Sequence, residues 1–354
     1  MQQEVRFATF NVLNLAPPGM RFYVDQEPWT QAQYDAKADW IAQQLDLLDA
    51  DVIGFQEIFS QDALRDVLSR TRKYRNAHHA GFDPDAFADP AGLEASVQNG
   101  MLTPSVALVS RLPFFAAPAC YGKLPHGLAV QLPGIDAPAT TFTRPILHVQ
   151  VIAGGDAPPV PGFPAARKQP IDVFVCHLKS KRPDYRGGAS AGSPDADSYT
   201  LGLAMLRSMI RRGAEALGLR YLISDQLRRQ RLPLVVLGDF NDVAAAMTTQ
   251  LVTGAISERR VNREGPTDRL FDCYRIQSRI RPLRDVGYTH THDNTMETID
   301  HILVSAAFEP GAAEAIGEVL EVVYVNDHLG LRPPEASDHG LVLARVLLYG
   351  TLPG

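Results

Sequence analysis

The sequence predicts an α/β protein, and two observations predict it. Short apolar runs of strand length, each ending on polar residues, are spaced along the chain, and between several of them apolar residues recur at helical period. The clearest run is LVVLGDFND, Leu234 to Asp242. Its apolar residues do not alternate with polar ones, as expected where both faces of a strand are packed. Asp239 and Asn241 then fall at the strand's end, and on an extended chain residues two apart point the same way. A plain Asp/Asn turn is the alternative reading.

The other elements follow in order. VRFATFNVL, Val5 to Leu13, reads as a strand carrying Asn11 near its end, before Pro17, Pro18 and Gly19 break the chain. Thr30 with Gln33 forms a capping box, and Tyr34, Ala38, Ile41, Leu45 and Leu48 at helical spacing predict a helix lying on a sheet. ADVIGFQEIF, Ala50 to Phe59, is a second buried strand that delivers Glu57 where its apolar run ends. Ser60 caps a helix with Ala63, Leu64, Val67 and Leu68 inward. The Gly/Asp/Pro/Ala-rich stretch from Arg75 to Thr103, with His78 and His79 at its start, predicts a long surface loop.

SVALVS, Ser105 to Ser110, is a strand. FTRPILHVQVI, Phe142 to Ile152, and IDVFVCHL, Ile171 to Leu178, predict an antiparallel pair whose second member ends on His177. Lys179 to Asp197 has almost no apolar residues and predicts a loop over that strand end. The spacing of Leu203, Leu206, Ile210, Leu217 and Tyr221 fits one long helix or two, with Gly213 and Gly218 as weak points. Asp300 and His301 precede a short apolar run, and LVLARVLL, Leu341 to Leu348, is the last strand, introduced by Ser337, Asp338 and His339.

Composition bounds the function. With 354 residues, 45% hydrophobic and 21% charged, the chain is expected to be a globular protein, read as a single domain over 1–354. No run approaches the ~20 apolar residues of a membrane span, and the N-terminal residues enter a strand pattern without a signal-peptide core, so a cytoplasmic location is expected. Cys120, Cys176 and Cys273 are widely spaced and read as free thiols rather than bridges or ligands. The net charge of -6 disfavours tight duplex binding through many phosphate contacts. Basic residues cluster locally at Lys179, Lys181 and Arg182, beside His177.

Asn11, Glu57, His177, Asp239, Asn241, Asp300, Asp338 and His339 all stand at or beside strand ends. If those ends gather at one sheet edge, carboxylates, carboxamides and imidazoles converge with no Ser or Cys nucleophile among them. Such a set suits metal-assisted attack by water: Mg²⁺ prefers oxygen ligands, imidazoles neutralise phosphate oxygens, and a carboxylate orients the water. Zinc is the weaker choice because no HExxH or Cys/His spacing occurs.

The ordered series FNVLN, GFQE, VCHLKSK, LGDFND, IDHIL and SDHGLV resembles the endonuclease/exonuclease/phosphatase superfamily, from about residue 5 to residue 348. The resemblance implies a four-layer α/β sandwich, two mostly antiparallel sheets flanked by helices, with the site where strand ends meet. It implies Glu57 as the main Mg²⁺ ligand, with Asn11 and Asp338 nearby and Mn²⁺ as the substitute ion. It implies Asp239 as the group that orients or deprotonates water, and Asn241 as a donor to a phosphate oxygen. His339, held by Asp300, contacts the scissile phosphate, and His177 contacts it from another side. A His rather than a Tyr at 177 argues against a dedicated abasic-site enzyme.

The deoxyribonuclease branch supports its counterpart of His177 with a glutamate; only Glu94, in the irregular loop, offers itself here. His301 should face away from Asp300's side. His290 and His292 sit two apart on an extended loop, where contact with substrate and a minor metal site are the two open roles, and neither is assigned. Arg144 matches a basic position near the family's site, although a surface Arg is the plainer reading.

The function expected is an Mg²⁺-dependent phosphodiesterase, foremost a nuclease acting on DNA or RNA, with Lys179, Lys181 and Arg182 as phosphate contacts. A hydrolase of small phosphoesters, such as a nucleotide, lipid headgroup or sugar phosphate, is the enzymatic alternative. A phosphate-binding module without turnover is the alternative of another class. The sequence does not indicate an oligomeric state.

Overall fold

In the computed structural model the chain is described over residues 3–349, apart from 24–25, 83–101, 155–167, 187–196, 255–267, 280–286 and 314. One six-stranded sheet has the order β13-β14-β1-β2-β4-β3, formed by β1 (Gln3–Leu15), β2 (Val52–Ile58), β3 (His78–Gly81), β4 (Ser105–Ser110), β13 (Gly317–Val325) and β14 (Leu341–Leu348). The second has the order β5-β6-β7-β8-β12-β9, from β5 (Ala119–Lys123), β6 (Thr141–Ala153), β7 (Gln169–His177), β8 (Leu234–Asp239), β9 (Leu270–Asp272) and β12 (Asp300–Ser305). A small hairpin joins β10 (His290–His292) to β11 (Thr295–Glu297). Within the two sheets only β1 with β2 and β7 with β8 pair in parallel, so the expected mostly antiparallel character holds.

Three apolar clusters make four layers. Phe7, Val52, Leu108, Val149, Val175, Leu237, Ile302 and Val346 pack between the sheets. Phe10, Ile53 and Phe55 pack under helices α1 (Gln31–Leu48) and α2 (Gln61–Arg70). Phe174, Val236 and Leu303 pack under α3 (Ser198–Gln230). The sheets approach closely at Gly54, where an added Cβ would lie 2.9 Å from Leu237 Cβ.

Strand alternation places the site. In β1, Val5 and Phe7 face the other sheet, and the same parity brings Thr9 and Asn11 to that face. In β7, β8 and β12 the apolar inter-sheet series Val173–Val175, Val235–Leu237 and Ile302–Val304 ends on His177, Asp239 and Asp300. The parallel pairs and the antiparallel β12 and β14 put all these ends at one edge.

Both predicted caps form, Thr30 with Gln33 and Ser60 with Ala63 N–H. Two loop expectations need correction. His78 and His79 lie in edge strand β3, too short and polar to show a period, and the predicted loop over 83–101 is outside the described residues. The segment 198–230 is one helix, but Leu206, Leu217 and Tyr221 are exposed. Its inward upper face carries Arg207, Arg212 and Glu215, because this part of the helix covers chain whose backbone needs partners: Arg207 binds the carbonyls of Asp184 and Arg186, Arg212 that of Lys179, and Glu215 accepts the N–H groups of Thr143 and Lys179. His290 and His292 stand on a hairpin rather than a loop, turned by Asp293 and Asn294 at positive φ. β5, β9 and β13 carried no clear signal: β9 is three residues long, β5 lacks an apolar run, and a bulge between Val319 and Glu321 breaks the period of β13.

Candidate active site

Three neighbouring strands set three side chains in one row. His177 is in register with Asp239, and Asp239 with Asp300. Asp239, at its centre, is 1% exposed. Its Oδ1 accepts the Asn241 N–H at 2.7 Å, and its Oδ2 accepts from Asn11 Nδ2 at 3.1 Å and Asn241 Nδ2 at 3.2 Å. The same oxygen lies 3.3 Å from His177 Nε2 and 4.0 Å from His339 Nε2. Burial, then the charge of Asp300, pushes the Asp239 carboxyl up to about 7, against the pull of His339 and the donated hydrogen bonds. Asn241 reaches Asp239 differently from expectation: β8 ends at Asp239, and Asn241 turns back through φ 53, its amide also donating to Leu178 O at 3.0 Å.

His339 is held from two sides. Ser337 donates its hydroxyl to Asn11 O at 2.6 Å and accepts the His339 N–H at 3.0 Å, tying the turn before β14 to the end of β1. The imidazole Nδ1 lies 2.8 Å from Asp300 Oδ2. Burial alone would lower the His339 pKa, but the charge and hydrogen bond of Asp300, with Asp239 and Asp338, raise it well above the ordinary value. His177 takes the opposite state: burial, with the positive charges of Arg144, His339 and Lys179, holds it well below the ordinary value, so it is neutral. Its Nδ1 has no hydrogen-bond partner among the described residues, and Glu94 lies outside them. Arg144 is not a surface residue: it is 7% exposed and donates to Leu178 O at 3.3 Å.

Glu57 reaches the site by a bulge. Parity in β2 gives Gln56 the inter-sheet face, where it accepts from the Thr9 hydroxyl, and Glu57 follows at φ 62. The end of β1 bulges beside it, with Leu13 and Asn14 both at φ 54. Glu57 Oε2 accepts the Asn14 N–H at 3.0 Å and Oε1 lies 3.4 Å from Asn11 Nδ2. Asn14 Oδ1 is buried without a hydrogen-bond partner among the described residues. Asp338 is exposed. A carboxylate with two lightly engaged oxygens, a second exposed carboxylate and an orphaned carboxamide oxygen fit a hard divalent cation. Two overlapping groups, Asp239 with Asp300 and His339, and His290 with Asp338 and His339, each bring ligand atoms within 4.8 Å of one another and could hold a metal ion.

Lys37 was not anticipated. It is 2% exposed beneath Trp29, and burial lowers its pKa to about 8 against the charges of Asp338 and Glu57. The signal was present in the sequence, since Lys37 interrupts the apolar stripe of Tyr34, Ala38 and Ile41. Tyr23 was also missed; its pKa is raised by burial and by Glu57, and Arg182 stacks on its ring at 5.7 Å.

The basic run is largely engaged by the protein. Lys179 Nζ donates to the carbonyls of Ser180 and Arg182, and burial lowers its pKa to about 8. Lys181 Nζ donates to Glu297 Oε2 at 3.0 Å. Lys179 and Arg182 border a cavity of about 310 Å³ with Thr143, Tyr185, Arg186 and Arg211. His79 bonds Gln61, and His301 faces away from the row, bonding Asp242 O at 2.9 Å.

The chain matches the model of the endonuclease/exonuclease/phosphatase family over residues 8–339. It belongs to that family. Family members are hydrolases of phosphoester bonds. The fold is similar to that of a family protein from Bacteroides thetaiotaomicron, at 14% identity and TM-score 0.54, covering 99% of each chain. It is similar to mannosyl-6-phosphatase Bt3783 of B. thetaiotaomicron VPI-5482, at 16% identity and TM-score 0.52, covering 97% of this chain and 99% of that one. A humanised D. rerio TDP2 carrying 14 mutations is similar at 12% identity and TM-score 0.51, over 97% and 98% of the two chains. No curated protein matches the sequence. No helix among the described residues is long and apolar enough to cross a membrane.

Proposed function

We propose that the chain is an Mg²⁺-dependent phosphodiester hydrolase, foremost a nuclease. The observation that carries this reading is the registered row His177–Asp239–Asp300 with His339 seated on Asp300. Glu57, with Asn11 and Asp338, would hold Mg²⁺, or Mn²⁺ in its place, which supplies charge neutralisation at a phosphate oxygen. Asp239, whose carboxyl is pushed up to about 7, accepts a proton from the attacking water near neutral pH. Asn11 and Asn241 orient it, and Asn241 donates to a phosphate oxygen by exchanging its bond to Asp239. His339, kept charged by Asp300, faces the phosphate as a cation, and neutral His177 offers a hydrogen bond from the other side. Lys179, Lys181 and Arg182 are proposed as contacts to the rest of the substrate.

A small phosphoester is the second reading. Two observations favour it: the net charge is -6, and the ammonium groups of Lys179 and Lys181 are engaged by carbonyls and by Glu297. Plasmid DNA, single-stranded DNA, bis-p-nitrophenyl phosphate and p-nitrophenyl phosphate, each with Mg²⁺ or chelator, separate the readings. Cleavage of DNA supports the nuclease; hydrolysis of the small esters alone supports the second. Phosphate binding by folded protein without any turnover contradicts both.

A further inference from the structure

A second set of donors lies on the outer side of His339. The β10–β11 hairpin is anchored to the turn before β14: His290 and His339 form a backbone bridge, Gly340 N–H donates to Thr289 O at 2.7 Å, and the Thr289 hydroxyl accepts the N–H groups of Ile299 and Asp300. The imidazoles of His290 and His339 consequently face each other with ring centroids 5.0 Å apart, and the carboxylate of Asp338 joins them.

We propose that His290, Asp338 and His339 form a binding site for a borderline divalent transition metal ion such as Zn²⁺ or Co²⁺, which shares Asp338 with the oxygen-rich position at Glu57 and differs from it in its two imidazoles. Three observations carry this. The three ligand atoms lie within 4.8 Å of one another. An ion ~2.1 Å from each donor requires separations of about 4.2 Å or less, so a small movement of the exposed Asp338 closes the set. His339 is held as metal-binding histidines are: Asp300 occupies Nδ1 at 2.8 Å, which leaves Nε2, 3.5 Å from Asn11 Nδ2 and 4.0 Å from Asp239 Oδ2, as the atom that ligates once the ion displaces its proton to solvent. Neither the His290 ring nor the Asp338 carboxylate has a hydrogen-bond partner among the described residues, so neither must break a contact to bind.

The site is also reachable. A cavity of about 410 Å³ opens on it, lined by His290, His292, Arg332 and Asp338, with room for water or a further ligand on the ion. Donor chemistry sets the choice of ion. Two imidazoles and one carboxylate favour Zn²⁺ or Co²⁺, whereas Mg²⁺ prefers oxygen throughout. His292 does not take part: its ring is exposed and leans toward Asp293. An ion here occupies His339 Nε2, the atom offered to phosphate in the function proposed above, so the ion and the substrate compete for that atom.

The test reads binding and does not depend on hydrolysis. The metal-free full chain is titrated with Co²⁺, followed by visible absorption, and with Zn²⁺ and Mg²⁺ by calorimetry, using the parent, His290→Ala and Glu57→Gln, each checked for folding by circular dichroism. His290 is half-buried on a surface hairpin, so its truncation leaves the sheets intact. The expected result is that His290→Ala weakens Zn²⁺ binding at least about tenfold and removes the Co²⁺ absorption. Its Mg²⁺ binding stays at the parental level, and Glu57→Gln shows the reverse pattern. Zn²⁺ affinity unchanged by His290→Ala overturns the proposal. Equal loss of Co²⁺ absorption in both variants also overturns it, because both ions would then share one site at Glu57.

Discussion

Asp300 Oδ2 lies 2.8 Å from His339 Nδ1, and both side chains are buried at the edge where the two sheets meet. One carboxylate thereby fixes the ring's orientation and keeps its charge, while its other oxygen, Oδ1, has no hydrogen-bond partner among the described residues. Asp300→Asn preserves the shape and removes the charge. Because Asp300 raises the His339 pKa, the variant lowers it, and the alkaline limb of the pH–rate profile moves to lower pH. Hydrolysis at neutral pH falls by about 10²–10⁴-fold with an unchanged circular dichroism spectrum. An unmoved alkaline limb contradicts the pairing.

Asp239 carries a second pH signature. Its folded pKa, about 7, lies above the ordinary 3.8, so the folded state holds the proton more tightly between those values. Stability from this group is present below pH ~4 and is lost as pH rises toward 7. In chelator, the melting temperature of Asp239→Asn relative to the parent therefore climbs between pH 4 and 7 and then levels, a change on the order of a few kcal/mol. His177, held below its ordinary value, has the opposite sign and loses stability as pH falls below about 6.5.

Glu57 stands at φ 62, where a side chain is strained and glycine is not. Both Glu57→Gly and Glu57→Ala are expected to abolish metal-dependent turnover. Urea denaturation of the metal-free proteins should nevertheless find the glycine variant more stable than the alanine variant by about 1 kcal/mol. The reverse order would place Glu57 outside the left-handed region.

At Gly54 the two sheets approach closely. A methyl group there meets Leu237 Cβ at 2.9 Å, with Val175 close by, and backbone-anchored atoms cannot yield as a flexible chain end does. Gly54→Ala is expected to destabilise by about 1–3 kcal/mol in urea titrations. An unchanged midpoint would mean that the sheets separate freely at this position.

The sequence made much of this legible because strand alternation is a local rule. Val173, Val175 and His177, or Val235, Leu237 and Asp239, share one face whatever the rest of the fold does, so polar groups ending apolar runs mark a site edge. Glu57 shows the limit: its parity assigns it the wrong face, and only the paired bulges at residues 13–14 and 57 bring it into the site. Asn241 shows the same limit, since it acts from a left-handed turn and not from an extended strand. The surroundings of Lys37 and Arg144 were hidden for another reason. A cation inside the fold is recognised by what surrounds it, namely Glu57 and Asp338 for the one, His177 and Leu178 for the other, and those neighbours are distant in sequence. The charged inward face of α3 was not legible either, because backbone groups of residues 143, 179, 184 and 186, distant in sequence, take charged partners from the helix.

The most direct test of the central claim is phosphodiester hydrolysis by the parent and Asp239→Ala proteins, on bis-p-nitrophenyl phosphate and on plasmid DNA, with Mg²⁺ and with chelator. The account predicts turnover by the parent only with the metal, lost by at least about 10³-fold in a folded Asp239→Ala protein. Turnover that survives either chelation or the loss of Asp239 would contradict it.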